Sequence, residues 1–151
     1  MRAFRKWILR RVLKSALVFE REARGQYLAL SGELGSSAQG GLAHLIQEEE
    51  THRRLLEDIV AGRLEDRALE QMLSSHRYHA LEETVPLAEA ERAAFGGKLE
   101  GALREEEATV SFYENLERMS SISSVRLAFR LLADMEREHV AILRRLLGHD
   151  S

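Results

Sequence analysis

The chain has 151 residues, 44% of them hydrophobic and 31% charged, with a formal net charge of −3. That length suits one domain with a real core. The absence of cysteine excludes disulfides, thiolate zinc sites and thiolate-held iron–sulfur clusters, so any metal must sit on oxygen and imidazole nitrogen.

Met1 to Lys14 carries six Lys or Arg and no acid. Its apolar residues, including Phe4, Trp7 and Ile8, are interrupted by charges, so it lacks a signal-peptide core and a cleavage site. No apolar run approaches the ~20 residues of a bilayer span, and the expected location is cytoplasmic. Arg2–Lys14 reads as a basic amphipathic segment. Docking on an anionic membrane or a partner protein is the less favoured reading; the favoured one is an N-terminal extension of the first helix, its apolar face on the bundle or on a second subunit. The charge asymmetry is no argument for nucleic acid.

Apolar residues then recur at helical spacing. The first helix carries Leu13, Ala16, Leu17, Glu20, Ala23, Tyr27, Leu30 and Leu34 on one stripe. Gly35 to Gly41 reads as a short polar turn, returning the chain antiparallel. The second helix carries Leu42, Leu45, Ile46, Glu49, His52, Leu56 and Ile59. Residues 62–85 read as a crossover with a weaker helical pattern at Leu64, Ala68, Leu69, Met72 and Leu73, long enough for both helix pairs to pack in parallel register. Pro86, the one proline, is a candidate first-turn residue of the third helix, with Gly96-Gly97 leaving its start open. That helix carries Leu99, Ala102, Leu103, Glu106, Thr109, Tyr113 and Leu116. Ser120 to Ser124 is the second turn, and the fourth helix carries Leu132, Glu136, His139, Ile142, Leu143 and Leu146.

A lone Glu followed about thirty residues later by Glu-x-x-His occurs twice: Glu20 with Glu49 and His52, then Glu106 with Glu136 and His139. Each lone Glu has a Tyr seven positions on, Tyr27 and Tyr113, and the flanking apolar residues superpose as well. The chain therefore reads as a duplication, two similar helical hairpins packed about a pseudo-twofold axis. Glu and His three apart share a helix face, and their stripes are otherwise apolar, so four carboxylates and two imidazoles point inward. Two divalent metals would cancel four glutamates. Such a donor set suits iron or manganese, with zinc as a common impostor. The alternative, inward Glu and His that merely pair with one another, suffers from the lack of Lys or Arg on these stripes.

The pattern Glu20, Glu49-x-x-His52, Glu106, Glu136-x-x-His139 resembles the ferritin-like di-iron superfamily, and within it rubrerythrin, over about residues 10–147 of the 151-residue chain. The resemblance implies an all-α, ferritin-like four-helix bundle joined by a long crossover. It also implies two iron ions, bridged by Glu49 and Glu136, with Glu20 and Glu106 terminal and one nitrogen each from His52 and His139. Rubrerythrins usually append a four-cysteine rubredoxin domain, so this cysteine-free chain is expected to use an external electron donor, rubredoxin-like or a reductase. They also carry a further carboxylate where this chain has Thr109. That leaves the six-ligand set shared by bacterioferritin-type ferroxidase sites, although the axial Met of a bacterioferritin haem site is absent.

The expected activity is reduction of hydrogen peroxide or dioxygen. The alternatives are a ferroxidase for iron detoxification and storage, and a non-catalytic, metal-stabilised helical interaction module. A homodimer or larger homo-oligomer is expected. Tyr27 and Tyr113 are candidate donors of a hydrogen bond or an electron to their glutamates, against a plain reading as core tyrosines. Thr109 is expected to fill core space. His44, His76, His79 and His149, and the neighbours of the inward glutamates in the runs Glu48–Glu50 and Glu105–Glu107, are expected on the solvated face.

Overall fold

In a computed structural model the described residues are 2–34, 36–61, 63, 65–75, 79–82, 84–121 and 123–149. Gly35, Gly62, Leu64 and His76, and the side chains of Phe4, Ile8 and His79, lie outside them. The described elements are α1 (Arg2–Glu33), α2 (Ser36–Val60), α3 (Asp66–Ser75), α4 (His79–Glu82), α5 (Glu89–Met119) and α6 (Ser123–Leu146). Every described element is an α-helix, and the four long ones form a bundle. None of the described helices is long and apolar enough to cross a membrane.

The apolar stripes dictate the packing. α1 lies along α2, α5 lies along α6, and α2 meets α6, while the crossover helices α3 and α4 rest on α6. α1 and α5 stand further apart and are joined by side chains. The core falls into two blocks, one around Tyr27, Leu45, Leu103 and Leu143, the other around Leu13, Leu56, Tyr113 and Leu132. Glu20, Glu49, His52, Glu106, Glu136 and His139 are buried between them in sequence order on every long helix.

Three boundaries differ from the sequence reading. The expected turn over Gly35–Gly41 is much tighter, because α2 is already helical from Ser36. Gly41 is needed for close approach: a Cβ there would stand 3.2 Å from Leu146 Cδ2 and 3.3 Å from Thr84 Cγ2. Pro86 does not open the third helix. It lies in an extended stretch that ends at Ala88, the residue capping α5, with φ −60° and ψ 152°. This stretch is pinned to the end of α6, where the Leu87 N–H donates to the Leu146 carbonyl at 2.9 Å. Gly96 and Gly97 sit inside α5. The second turn is shorter than expected, since α6 begins at Ser123.

α6 ends where Gly148 takes φ 73°. The N–H groups of Gly148 and His149 then close on the carbonyls of Arg145 and Arg144, the pairing that a left-handed residue after a helix permits. α1 runs unbroken through the basic segment. Leu13 is buried there, whereas Trp7 is 54% exposed with the Arg11 guanidinium 5.1 Å above its ring.

The close approach at Gly41 has a measurable consequence. Gly41→Val is expected to lower the unfolding free energy by about 1–3 kcal/mol through overpacking against Leu146 and Thr84. Gly41→Ala is expected to stay within about 1 kcal/mol, since the better helix preference offsets the tight contact. Urea denaturation of both variants checks this.

Candidate metal centre

The Glu-x-x-His pairs of α2 and α6 face each other head to tail. His52 Nδ1 lies 3.1 Å from Glu136 Oε1, and His139 Nδ1 lies 3.1 Å from Glu49 Oε1. The two imidazoles stack with ring centroids 4.8 Å apart and planes at 14°. One ligand atom from each of Glu49, His52, Glu136 and His139 falls within 4.8 Å of all the others. Glu20 and Glu106 approach from α1 and α5, with Glu20 Oε2 3.6 Å from His52 Nδ1 and Glu106 Oε2 3.7 Å from His139 Nδ1. All six side chains named from spacing thus converge on one buried layer.

The tyrosines are placed differently from expectation. Each bonds the glutamate of the other half. The Tyr27 hydroxyl donates to Glu106 Oε1 at 2.5 Å, and the Tyr113 hydroxyl to Glu20 Oε1 at 3.3 Å. The reason is helix direction: α1 and α5 run antiparallel, so seven residues along one helix reaches back to the glutamate level of the other. Burial, then the nearby carboxylates, pushes both phenols well above their ordinary range, so they remain proton donors.

The electrostatics are those of an acid cluster that must be neutralised. Among the described residues no Lys or Arg is buried. Burial alone would lower His52, yet the charge of Glu20 and the hydrogen bond to Glu136 raise it to about 9. His139 is raised in the same way, mainly by Glu136 and Glu106 against burial. Burial, with Glu106 and Glu20 beside it, raises Glu136 well above the carboxylate range. Burial works against Glu106 too, but neighbouring Glu136 and His139 and the bond from Tyr27 hold it below that range. Without a cation, protons do the neutralising.

The donor atoms fit a cation better than they fit each other. Both oxygens of Glu49, Oε2 of Glu136, Nε2 of His52 and both ring nitrogens of His139 are buried without a hydrogen bond. Unpaired buried acceptors are costly, and here they converge from both halves of the chain. Oxygen and imidazole donors in this number suit two divalent ions of the iron or manganese type, and zinc binds such donors too.

Several residues were not found from the sequence. Glu48 is half-buried, its Oε2 3.8 Å from His52 Nε2, instead of facing solvent. Glu138 is 1% exposed, covered but shallow, where burial and the charge of Glu48 raise its carboxyl. A single stripe per helix hides both, because α2 and α6 bury a second face against each other. Of the expected surface histidines, His44 is half-buried, and His149 is exposed and pairs with Glu100 at 3.0 Å. Glu105 and Glu107 are exposed as expected, whereas Glu50 is half-buried and bonded to Arg53.

Thr109 does not fill core space. It lines a cavity of about 400 Å³ that opens between α1 and α5 onto Glu20, Glu106, Glu49 and Glu136. Its hydroxyl donates to the Glu105 carbonyl at 2.9 Å. Phe19 and Phe112 meet edge to face at this cavity, centroids 6.1 Å apart and planes at 82°.

Two outcomes follow from this geometry. Metal uptake at pH 7 is expected to acidify a weakly buffered solution, because His52, raised to about 9, must give up its proton. Affinity should accordingly rise with pH toward about 9. The stability of the metal-free chain is expected to follow the opposite trend. A histidine raised from its unfolded value of ~6.5 stabilises fully below that pH, and the contribution is lost as pH rises through about 9. Titration calorimetry in buffers of different ionisation heat, with urea melts across this range, checks both signs. The unequal tyrosine bonds give a second outcome. Tyr27→Phe should destabilise the metal-free chain by about 1.5–3 kcal/mol, the range for a bond to a charged acceptor. Tyr113→Phe, with the longer bond, should cost about 1 kcal/mol or less.

No curated protein and no solved structure is significantly similar to the chain. A family model described as Rubrerythrin matches residues 11–147, which span all six ligand candidates and both tyrosines. The chain belongs to the rubrerythrin family, a ferritin-like di-iron family.

Proposed function

We propose that the protein is a di-iron oxidoreductase that reduces hydrogen peroxide, or dioxygen, with electrons from an external donor. The observation that carries this reading is the buried layer of four carboxylates and two imidazoles with unpaired donor atoms, whose four glutamates line a cavity. In this reading Glu49 and Glu136 would be shared between two ions, His52 and His139 would give one nitrogen each, and Glu20 and Glu106 would hold one ion each. Two ferrous ions held there would supply the two electrons that cleave a peroxide bond. The protein's own contribution is geometry and proton placement. Tyr27 and Tyr113 each fix one oxygen of a terminal glutamate, leaving the other oxygen to turn inward. Apolar side chains at the cavity limit the water around the carboxylates.

On the same reading the protein works in the cytoplasm as a homodimer or larger homo-oligomer. Its electrons come from a rubredoxin-like protein or a reductase. A ferroxidase is the second reading, and it is favoured by the exposed acids Glu22 and Glu105 at the cavity, which would draw in ferrous ions. A non-catalytic interaction module is the third.

An anaerobic Fe(II) titration followed by peroxide or air separates them. Saturation at two irons per chain, with oxidation faster by peroxide than by air, is expected. Faster oxidation by air with continued iron consumption would favour the ferroxidase, and no stoichiometric binding would sink the di-iron assignment. Glu49→Ala should slow peroxide reduction by about 100-fold or more, beyond the ~10–100-fold typical of outer-shell changes. If a partner protein still binds while neither form turns over, the module reading holds.

A further inference from the structure

The cavity between α1 and α5 is larger than peroxide or dioxygen needs. A water-sized molecule occupies ~30 Å³, whereas this space measures about 400 Å³. That lies within the ~300–1,000 Å³ of sites for organic ligands, which are mostly apolar with a few placed polar groups. Its lining has this character: Phe19, Ala23, Ala102, Ala108 and Phe112 contribute apolar surface, and the candidate ligands form the polar end. Thr109 adds little free polarity, because its hydroxyl is engaged by the Glu105 carbonyl. The size has a structural origin, since α1 and α5 pack less closely than α2 and α6.

Charge narrows the class of occupant. The lining contains no Lys or Arg, and Glu22 and Glu105 add exposed acids to it. An anionic substrate would be repelled there.

We propose that this cleft receives a neutral organic hydroperoxide, its apolar group between α1 and α5 and its peroxide end at the carboxylate layer. The inference rests on the di-iron reading above. The O–O bond breaks: one oxygen leaves as the alcohol ROH and the other as water. Two protons would come from solvent, and two ferrous ions held by the carboxylate layer would supply the two electrons, which the external donor would restore.

The first test uses the full-length protein loaded with redox-inert zinc and labelled at alanine and threonine methyls. It is titrated with 2-phenyl-2-propanol, the alcohol product of cumene hydroperoxide, and followed by NMR. Saturable shifts confined to Ala23, Ala102, Ala108 and Thr109 are expected. Ala108→Phe, at an exposed position of the lining, should weaken binding tenfold or more, and so should Ala23→Leu on the opposite helix.

In the iron-loaded protein both substitutions should lower the ratio of kcat/KM for cumene hydroperoxide over hydrogen peroxide by tenfold or more. Absent or scattered shifts, or a ratio unchanged in both variants, would overturn the inference. If hydrogen peroxide is reduced but the alcohol does not bind, this inference alone fails. If the alcohol binds in the cleft but neither peroxide is reduced, the di-iron reading has failed and the hydroperoxide assignment falls with it.

Discussion

Four glutamates at mid-bundle with no buried Lys or Arg among the described residues set the terms for everything around them. A buried carboxylate without a counter-charge takes up a proton or destabilises the fold. The chain answers with two imidazoles raised by their acid neighbours, a Glu136 carboxyl pushed up by burial and the glutamates beside it, and two phenols that donate to the outer glutamates. The protons on the imidazoles and carboxyls are an arrangement that bound cations would replace, while the phenols keep their hold on Glu106 and Glu20. Apolar residues above and below isolate the layer, which makes the electrostatic demand stronger and the preference for cations sharper.

Duplication explains the order within the layer. Corresponding helices of the two halves run antiparallel, so the interactions across the halves come in pairs: His52 with Glu136 answers His139 with Glu49, and Tyr27 with Glu106 answers Tyr113 with Glu20. The symmetry is imperfect in ways tied to particular residues. Glu138 is buried on α6, whereas its counterpart on α2 is the exposed Thr51. One tyrosine bond is 0.8 Å shorter than the other. The two sides of the layer are therefore chemically inequivalent.

The six inward acids and histidines were legible because their spacing, apolar flanks and repetition all indicate the same helix faces. The crossed tyrosine bonds were not, since sequence distance along one helix says nothing about the neighbour's direction until the hairpins are docked. Turn positions failed at Gly41, where glycine signals a close approach to Leu146 and Thr84 and the helix continues through it. Glu48 and Glu138 were missed because a one-stripe reading assigns α2 and α6 a single buried face. The cavity was invisible for a related reason: small residues such as Ala23 and Ala102 look like ordinary core until the gap between α1 and α5 is seen.

The division of the core into two blocks has a mechanical meaning. Each block draws side chains from α1, α2, α5 and α6, so each clamps all four long helices on its own side of the charged layer. The layer between is a span held at both ends. Glutamates and imidazoles there can exchange protons for ions while the helix axes stay where the two clamps hold them.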